Sequence, residues 1–173
     1  MANRQAPDQR LGLRDKPYHM TGELDKEAYF NRLDPEDRLN LEVVLQRSRE
    51  VASLMETELD VLAVGSSADL LSGYGDLDLL YCPKKVTVRL EFVRQVHDRL
   101  VGDSRFLVQR QYPGGSAPIF HDPHTPYKLF AFPVSAREAK VIDMTFVSEY
   151  GGSVTDIISF HRQNNLAFSR LTE

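Results

Sequence analysis

The chain has a single cysteine, Cys82, which excludes an internal disulfide and a cysteine-rich zinc site. It has no apolar run near the ~20 residues that span a bilayer, and its opening residues carry no signal-peptide pattern. Positive charge is not in excess either: 21 Lys and Arg stand against 25 Asp and Glu, a formal net charge of −4. That balance argues against a purely electrostatic nucleic-acid binder and against long nucleic acid as a partner. No repeat and no low-complexity stretch interrupts the sequence. The expectation is a soluble, cytoplasmic protein of a reducing compartment, with no membrane contact.

What is present suits one domain. The 173 residues are 42% apolar, with 10 glycines, enough to build a core without covalent staples. The charge is unevenly spread. Residues 1–81 hold 9 basic and 16 acidic side chains, residues 82–140 hold 10 and 5, and residues 141–173 hold 2 and 4. A positive middle segment in an acidic chain can face an anionic ligand or decorate a solvated helix face.

Residues 1–33 are mixed and polar, and read as an N-terminal arm with at most short structure. Asp34-Pro35-Glu36 then gives a helix start: a capping Asp, Pro at the first helical position and acid in the first turn. Leu41, Val44, Leu45, Val51 and Met55 carry the apolar stripe to about residue 58. Val61 to Val64 is a short buried strand that breaks at Gly65-Ser66-Ser67, with a short helix expected over Ser67 to Leu71. A second strand follows over Asp76 to Tyr81, then a helix with Val86, Leu90, Val93 and Leu100 inward, stopped by Gly102. Phe106 to Gln111, Tyr127 to Phe132 and Lys140 to Val147 read as strands. His121 to Pro126 reads as a polar hairpin tip rather than a metal site, and Cys82 as a small core residue. Ser153 caps a C-terminal helix over 153–173, leaving 34–152 as the main domain. The sum is an α+β fold, a mixed β-sheet with helices 35–58 and 84–101 packed on one face.

The chemistry concentrates around Asp76-Leu77-Asp78. Period two in a strand puts both carboxylates on one face, with Leu77 and Leu79 on the other. Two such acids repel unless a cation lies between them, and hard oxygen ligands favour Mg²⁺ or Mn²⁺. Gly65 lets the backbone approach a ligand, and the N–H groups of Ser66 and Ser67 at the turn can accept phosphate. Asp143, inside an alternating strand, is placed to join the pair if the strands are adjacent. Three carboxylates beside a phosphate cradle are what phosphoryl or nucleotidyl transfer requires. Arg89, Arg94, Arg99 and Lys128 are further candidates for guiding a triphosphate, with surface solvation as the competing role of each.

Gly65-Ser66, a nine-residue spacer, Asp76-Leu77-Asp78 and a later strand Asp143 resemble the signature of the DNA polymerase β-like nucleotidyltransferase superfamily. Its members often carry Gly four positions after the Ser and Ser before the first Asp, where this chain has Leu70 and Gly75. The resemblance implies the fold of the minimal domain of that superfamily over roughly residues 35–150. It also implies that Asp76, Asp78 and Asp143 bind Mg²⁺ or Mn²⁺ and act in catalysis, while Gly65, Ser66 and Ser67 hold the phosphates of an NTP. The implied reaction moves a nucleoside monophosphate from the NTP to an acceptor hydroxyl on a small molecule, a protein or an RNA end. The C-terminal helix is too short to supply the helical domain that usually completes such a pocket, so a homodimer or a protein partner is expected to complete it. A non-catalytic nucleotide-binding or regulatory domain is the alternative. A sugar-nucleotide transferase with its own D-x-D would need a longer chain and gives Gly-Ser no role.

Overall fold

The computed structural model describes residues 22–69, 73–83, 89–111, 127–134, 138–147 and 153–172. Leu70, Leu71, Val86 and the His121 to Pro126 connection, all assigned from sequence above, lie outside the described residues.

Four helices and one six-stranded mixed sheet make an α+β fold. The helices are α1 (Lys26–Arg32), α2 (Pro35–Leu54), α3 (Arg89–Val101) and α4 (Val154–Gln163). The strands are β1 (Leu59–Val64), β2 (Leu77–Pro83), β3 (Phe106–Gln111), β4 (Tyr127–Pro133), β5 (Ile142–Phe146) and β6 (Phe168–Arg170), in spatial order β3-β4-β5-β2-β1-β6. Among the described strands, every pairing is antiparallel except β2 with β5. That parallel pair needs the long crossover through α3, β3 and β4.

Alternation along the strands sorts the two faces. Val61, Ala63, Leu77, Leu79, Tyr81, Leu129, Ile142, Met144 and Phe146 are all buried and meet the apolar sides of α2 and α3. The stripe on α2 is as the spacing requires, with Leu41, Val44, Leu45 and Val51 inward and Leu39 44% exposed. Ser48 is also inward, because its hydroxyl lies 2.7 Å from that of the buried Tyr81. Cys82 is buried, and burial pushes its thiol up to about 12, which suits a core residue and not a nucleophile.

On the opposite face α4 covers only the β1–β6 side, where Ile158 packs on Leu62 and Phe168. Its start is a capping box, Ser153 Oγ accepting from the Asp156 N–H while the Asp156 carboxylate accepts from the Ser153 N–H. Asp34 is at the corresponding position of α2, yet its side chain makes no capping bond; the first-turn acid that is used is Asp37. β6 was not expected, since three residues behind a helix carry too short a pattern to read.

Residues 23–33 are more than an arm. Leu24, Tyr29, Phe30 and Leu33 are buried in the same core as the sheet. Glu23 forms a bridge with Phe168, and the Leu24 N–H donates to the Phe168 carbonyl at 2.7 Å. No helix among the described residues is long and apolar enough to cross a membrane.

Candidate functional site

The part of the second face beyond α4 carries the acids. β2 and β5 run side by side with Asp78 and Asp143 as register partners, so their Cα atoms are one strand spacing apart, ~4.8 Å. Both side chains leave the same face, whose continuation on β4 is Phe130, the register partner of Asp143, and then Lys128. β2 starts at Leu77, so Asp76 stands in the bend before the strand, exposed, while Asp78 is half-buried.

The carboxylates strain one another electrostatically. Burial pushes the Asp78 carboxyl up to about 6, the charges of Asp143 and Asp76 push the same way, and Lys128 opposes them. Lys128 Nζ lies 3.2 Å from Asp143 Oδ2, and both side chains are largely covered, at 29% and 16% exposure. The other oxygen, Asp143 Oδ1, is buried and has no hydrogen-bond partner among the described residues. An orphaned carboxylate oxygen beside a second carboxylate fits a hard cation by donor chemistry. Among the described residues, no group of three or more His, Cys, Asp or Glu side chains is already gathered as a metal cage. Asp78 and Asp143 are brought together; Asp76 acts on them through its charge, from the rim.

Gly65 closes the site from β1. It has φ +71°, and a Cβ there would lie 2.7 Å from Asp78 Oδ2. A side chain would therefore meet both backbone strain and a clash with the acid. Gly65–Ala68 forms a single 3₁₀ turn. Ser66 is exposed, and its Oγ accepts from the Gly75 N–H at 3.3 Å, which ties the turn to the loop entering β2. Ser67 is buried: its hydroxyl donates to the Val64 carbonyl at 3.2 Å and accepts from Tyr29 at 3.1 Å. The Ser67 hydroxyl is thus a strut of the turn, and what Ser67 offers a ligand is backbone.

Residues that the sequence pattern did not single out brace this turn. Arg32 donates to the carbonyls of Ser66 and Asp69 and stacks on Tyr74, 5.1 Å from the ring centroid. The Tyr74 hydroxyl donates to Asp37 Oδ2 at 2.7 Å and accepts from the Asp34 N–H at 2.9 Å. Asp37 Oδ1 accepts from the Lys140 N–H at 2.8 Å, just before β5. One buried carboxylate therefore links α2, the loop before β2 and the approach to β5. In the sequence it is one more acid in the first turn of α2, with nothing to tell it from Glu36.

The basic candidates divide. Arg99 bonds Glu50 at 2.6 Å on the helical side of the sheet, and Arg94 is exposed on the same helix, so neither faces the acids. Lys128 does. A cleft of about 470 Å³ between α1, α2 and Leu171 is lined by charges of both signs, including Lys26, Glu27, Arg38 and Glu42, and by none of the acids or turn residues above. Comparison of the chain with protein-family models and with curated proteins gives no match.

Proposed function

We propose that the chain is a metal-dependent nucleotidyltransferase of the DNA polymerase β-like type, transferring a nucleoside monophosphate from an NTP to an acceptor hydroxyl. The observation that carries this reading is the pairing of Asp78 with Asp143 on adjacent parallel strands, directly against the Cβ-less Gly65. The α+β architecture with its mixed sheet supports it, as does the order of elements, with the Gly-Ser turn on the strand beside the first acid strand.

In this reading Asp78 and Asp143 hold Mg²⁺ or Mn²⁺, with Asp76 adding negative charge at the rim. The ion supplies charge neutralisation and a lowered pKa for the acceptor hydroxyl. The remaining work belongs to the chain. The backbone of Gly65 and Ser66 offers N–H groups to phosphate oxygens at a turn, with the exposed Ser66 hydroxyl beside them. Asp78 and Asp143 keep the negative field that orients a cation-bound triphosphate. The acceptor oxygen attacks the α-phosphorus, its proton passes to solvent or to a carboxylate, and pyrophosphate leaves. In this reading a second copy or a protein partner completes the pocket for the base.

The test is direct. The chain is incubated with each labelled NTP and Mg²⁺, and pyrophosphate release and label transfer are measured for the parent and for Asp78→Asn. Release in the parent and its loss in the variant support transfer. Tight NTP binding with no release of pyrophosphate by either protein favours the non-catalytic nucleotide-binding domain.

A further inference from the structure

We infer that Lys128 is a tethered cation that occupies the carboxylate pair, which a divalent ion must displace and whose ammonium is then freed for the phosphates of the nucleotide. The inference rests on the metal-dependent reading above and extends it to a residue outside the Gly-Ser and D-x-D positions.

Three observations carry it. Lys128 does not point into solvent as a surface lysine would: its Nζ lies 3.2 Å from Asp143 Oδ2 with its side chain 29% exposed. The pair leaves Asp143 Oδ1 buried and unpartnered among the described residues, so one ammonium satisfies only half of that carboxylate. The ammonium sits on a flexible four-carbon stem, so it can leave the carboxylate without moving the strand. Its ring neighbour strengthens the placement: Nζ lies 5.3 Å from the Phe130 ring centroid, so the ammonium is held against the aromatic face from one side and by the carboxylate from the other.

A divalent ion entering between Asp78 and Asp143 brings two charges where Lys128 brings one, and the two cations repel. The ammonium must leave Asp143, and the negative group it then meets is the substrate's phosphate chain. Lys128 is therefore a positioning residue with opposed effects: it weakens binding of the bare metal and strengthens binding of the nucleotide. A lysine that merely decorates the surface has neither effect. One that merely stabilises the strand pair changes folding but not the two affinities in opposite directions.

The experiment measures Mn²⁺ binding in the absence of nucleotide, by the loss of the free-ion electron paramagnetic resonance signal, on the full chain. Parent, Lys128→Gln, Lys128→Arg and Asp78→Asn are compared, each checked for folding by circular dichroism. Lys128→Gln is expected to bind Mn²⁺ about three- to tenfold more tightly, the equivalent of opening one partly covered charge-assisted bond. Its KM for NTP is expected to rise by a similar factor, while Lys128→Arg stays near the parent in both. Should Lys128→Gln disturb folding, Lys128→Met is read in its place. Mn²⁺ binding by the parent that is unchanged or weakened in the Gln and Met variants overturns the role of Lys128 alone. Absence of any Mn²⁺ binding that Asp78→Asn removes overturns this inference together with the metal-dependent reading.

Discussion

Gly65 and Asp78 stand so close that a methyl group on the first would lie 2.7 Å from a carboxylate oxygen of the second. The two residues belong to different sides of one hairpin-like pairing, β1 with β2, where Val64 is the register partner of Asp78. Gly65→Ala is expected to force the Asp78 carboxylate to rotate away and to place an L-residue at φ +71°. The backbone strain costs about 1 kcal/mol. For a chain of this size that is a fall in Tm of roughly 2–4 °C. Nucleotidyl transfer is expected to fall by a hundredfold or more, on the scale of ~2.7 kcal/mol of lost positioning. Thermal melting and pyrophosphate release separate the two; equal, small losses in both would show that the carboxylate tolerates the added carbon.

The raised pKa of Asp78 has a stability consequence whose sign is fixed. Its value of about 6 in the fold exceeds the ordinary 3.8, so between these pH values the folded state holds more protons than the unfolded one. Stability should therefore fall as pH rises from about 4 to about 6, and the full penalty should persist above that. Asp78→Asn removes the penalty, so the variant is expected to gain on the order of 1–2 kcal/mol over the parent at pH 7 in EDTA, after allowance for solvent screening, and little or nothing at pH 4. Urea denaturation of both proteins at the two pH values gives the answer. A variant less stable than the parent at pH 7 would mean that the carboxylate is a structural acceptor.

Asp37 is a junction, and its loss should be severe. Asp37→Ala strips the acceptor from the Tyr74 hydroxyl and from the Lys140 N–H. Two donors left without a carboxylate at a buried position cost about 2–4 kcal/mol. Tyr74→Phe removes one of these bonds and is expected to cost about 1 kcal/mol. Chemical denaturation measures both, and a double variant that is no worse than Asp37→Ala would confirm that they share the bond.

Removing residues 1–33 should unfold the protein. The deletion exposes the cavity filled by Leu24, Tyr29, Phe30 and Leu33, all buried against the main core. At roughly 2 kcal/mol for each large apolar side chain, the loss approaches the whole stability of an ordinary domain. Circular dichroism and gel filtration of a chain beginning at residue 34 test it, against one beginning at residue 22. A cooperative melt in the shorter chain would return these residues to the status of an arm.

Much of the sheet was legible because alternation and burial agree along β2, β4 and β5. The placement of Asp143 beside Asp78 follows from that alternation once the two strands are known to be neighbours, and neighbourhood is what a sequence does not state. The start of β2 was read one residue early, since Asp76 continues the period of the strand while the backbone has not yet joined it. The roles of the Asp37 and Ser67 side chains were hidden for a different reason. A polar residue at a helix start or a turn looks the same whether its side chain meets water or a partner distant in the chain, as Ser67 meets Tyr29. Lys128 was legible as a candidate but its role was not, because ion pairing across strands depends on register.

The parallel pairing of β2 with β5 means that the two acids come together only after the whole crossover from β2 to β5 is in place. Their mutual repulsion is therefore loaded onto a seam that closes a long loop, at a cost in chain entropy. A cation bridging that seam would act as a clasp. Amide hydrogen exchange across β2 and β5 should slow on addition of Mg²⁺ and NTP, while the antiparallel seam between β3 and β4 is unchanged.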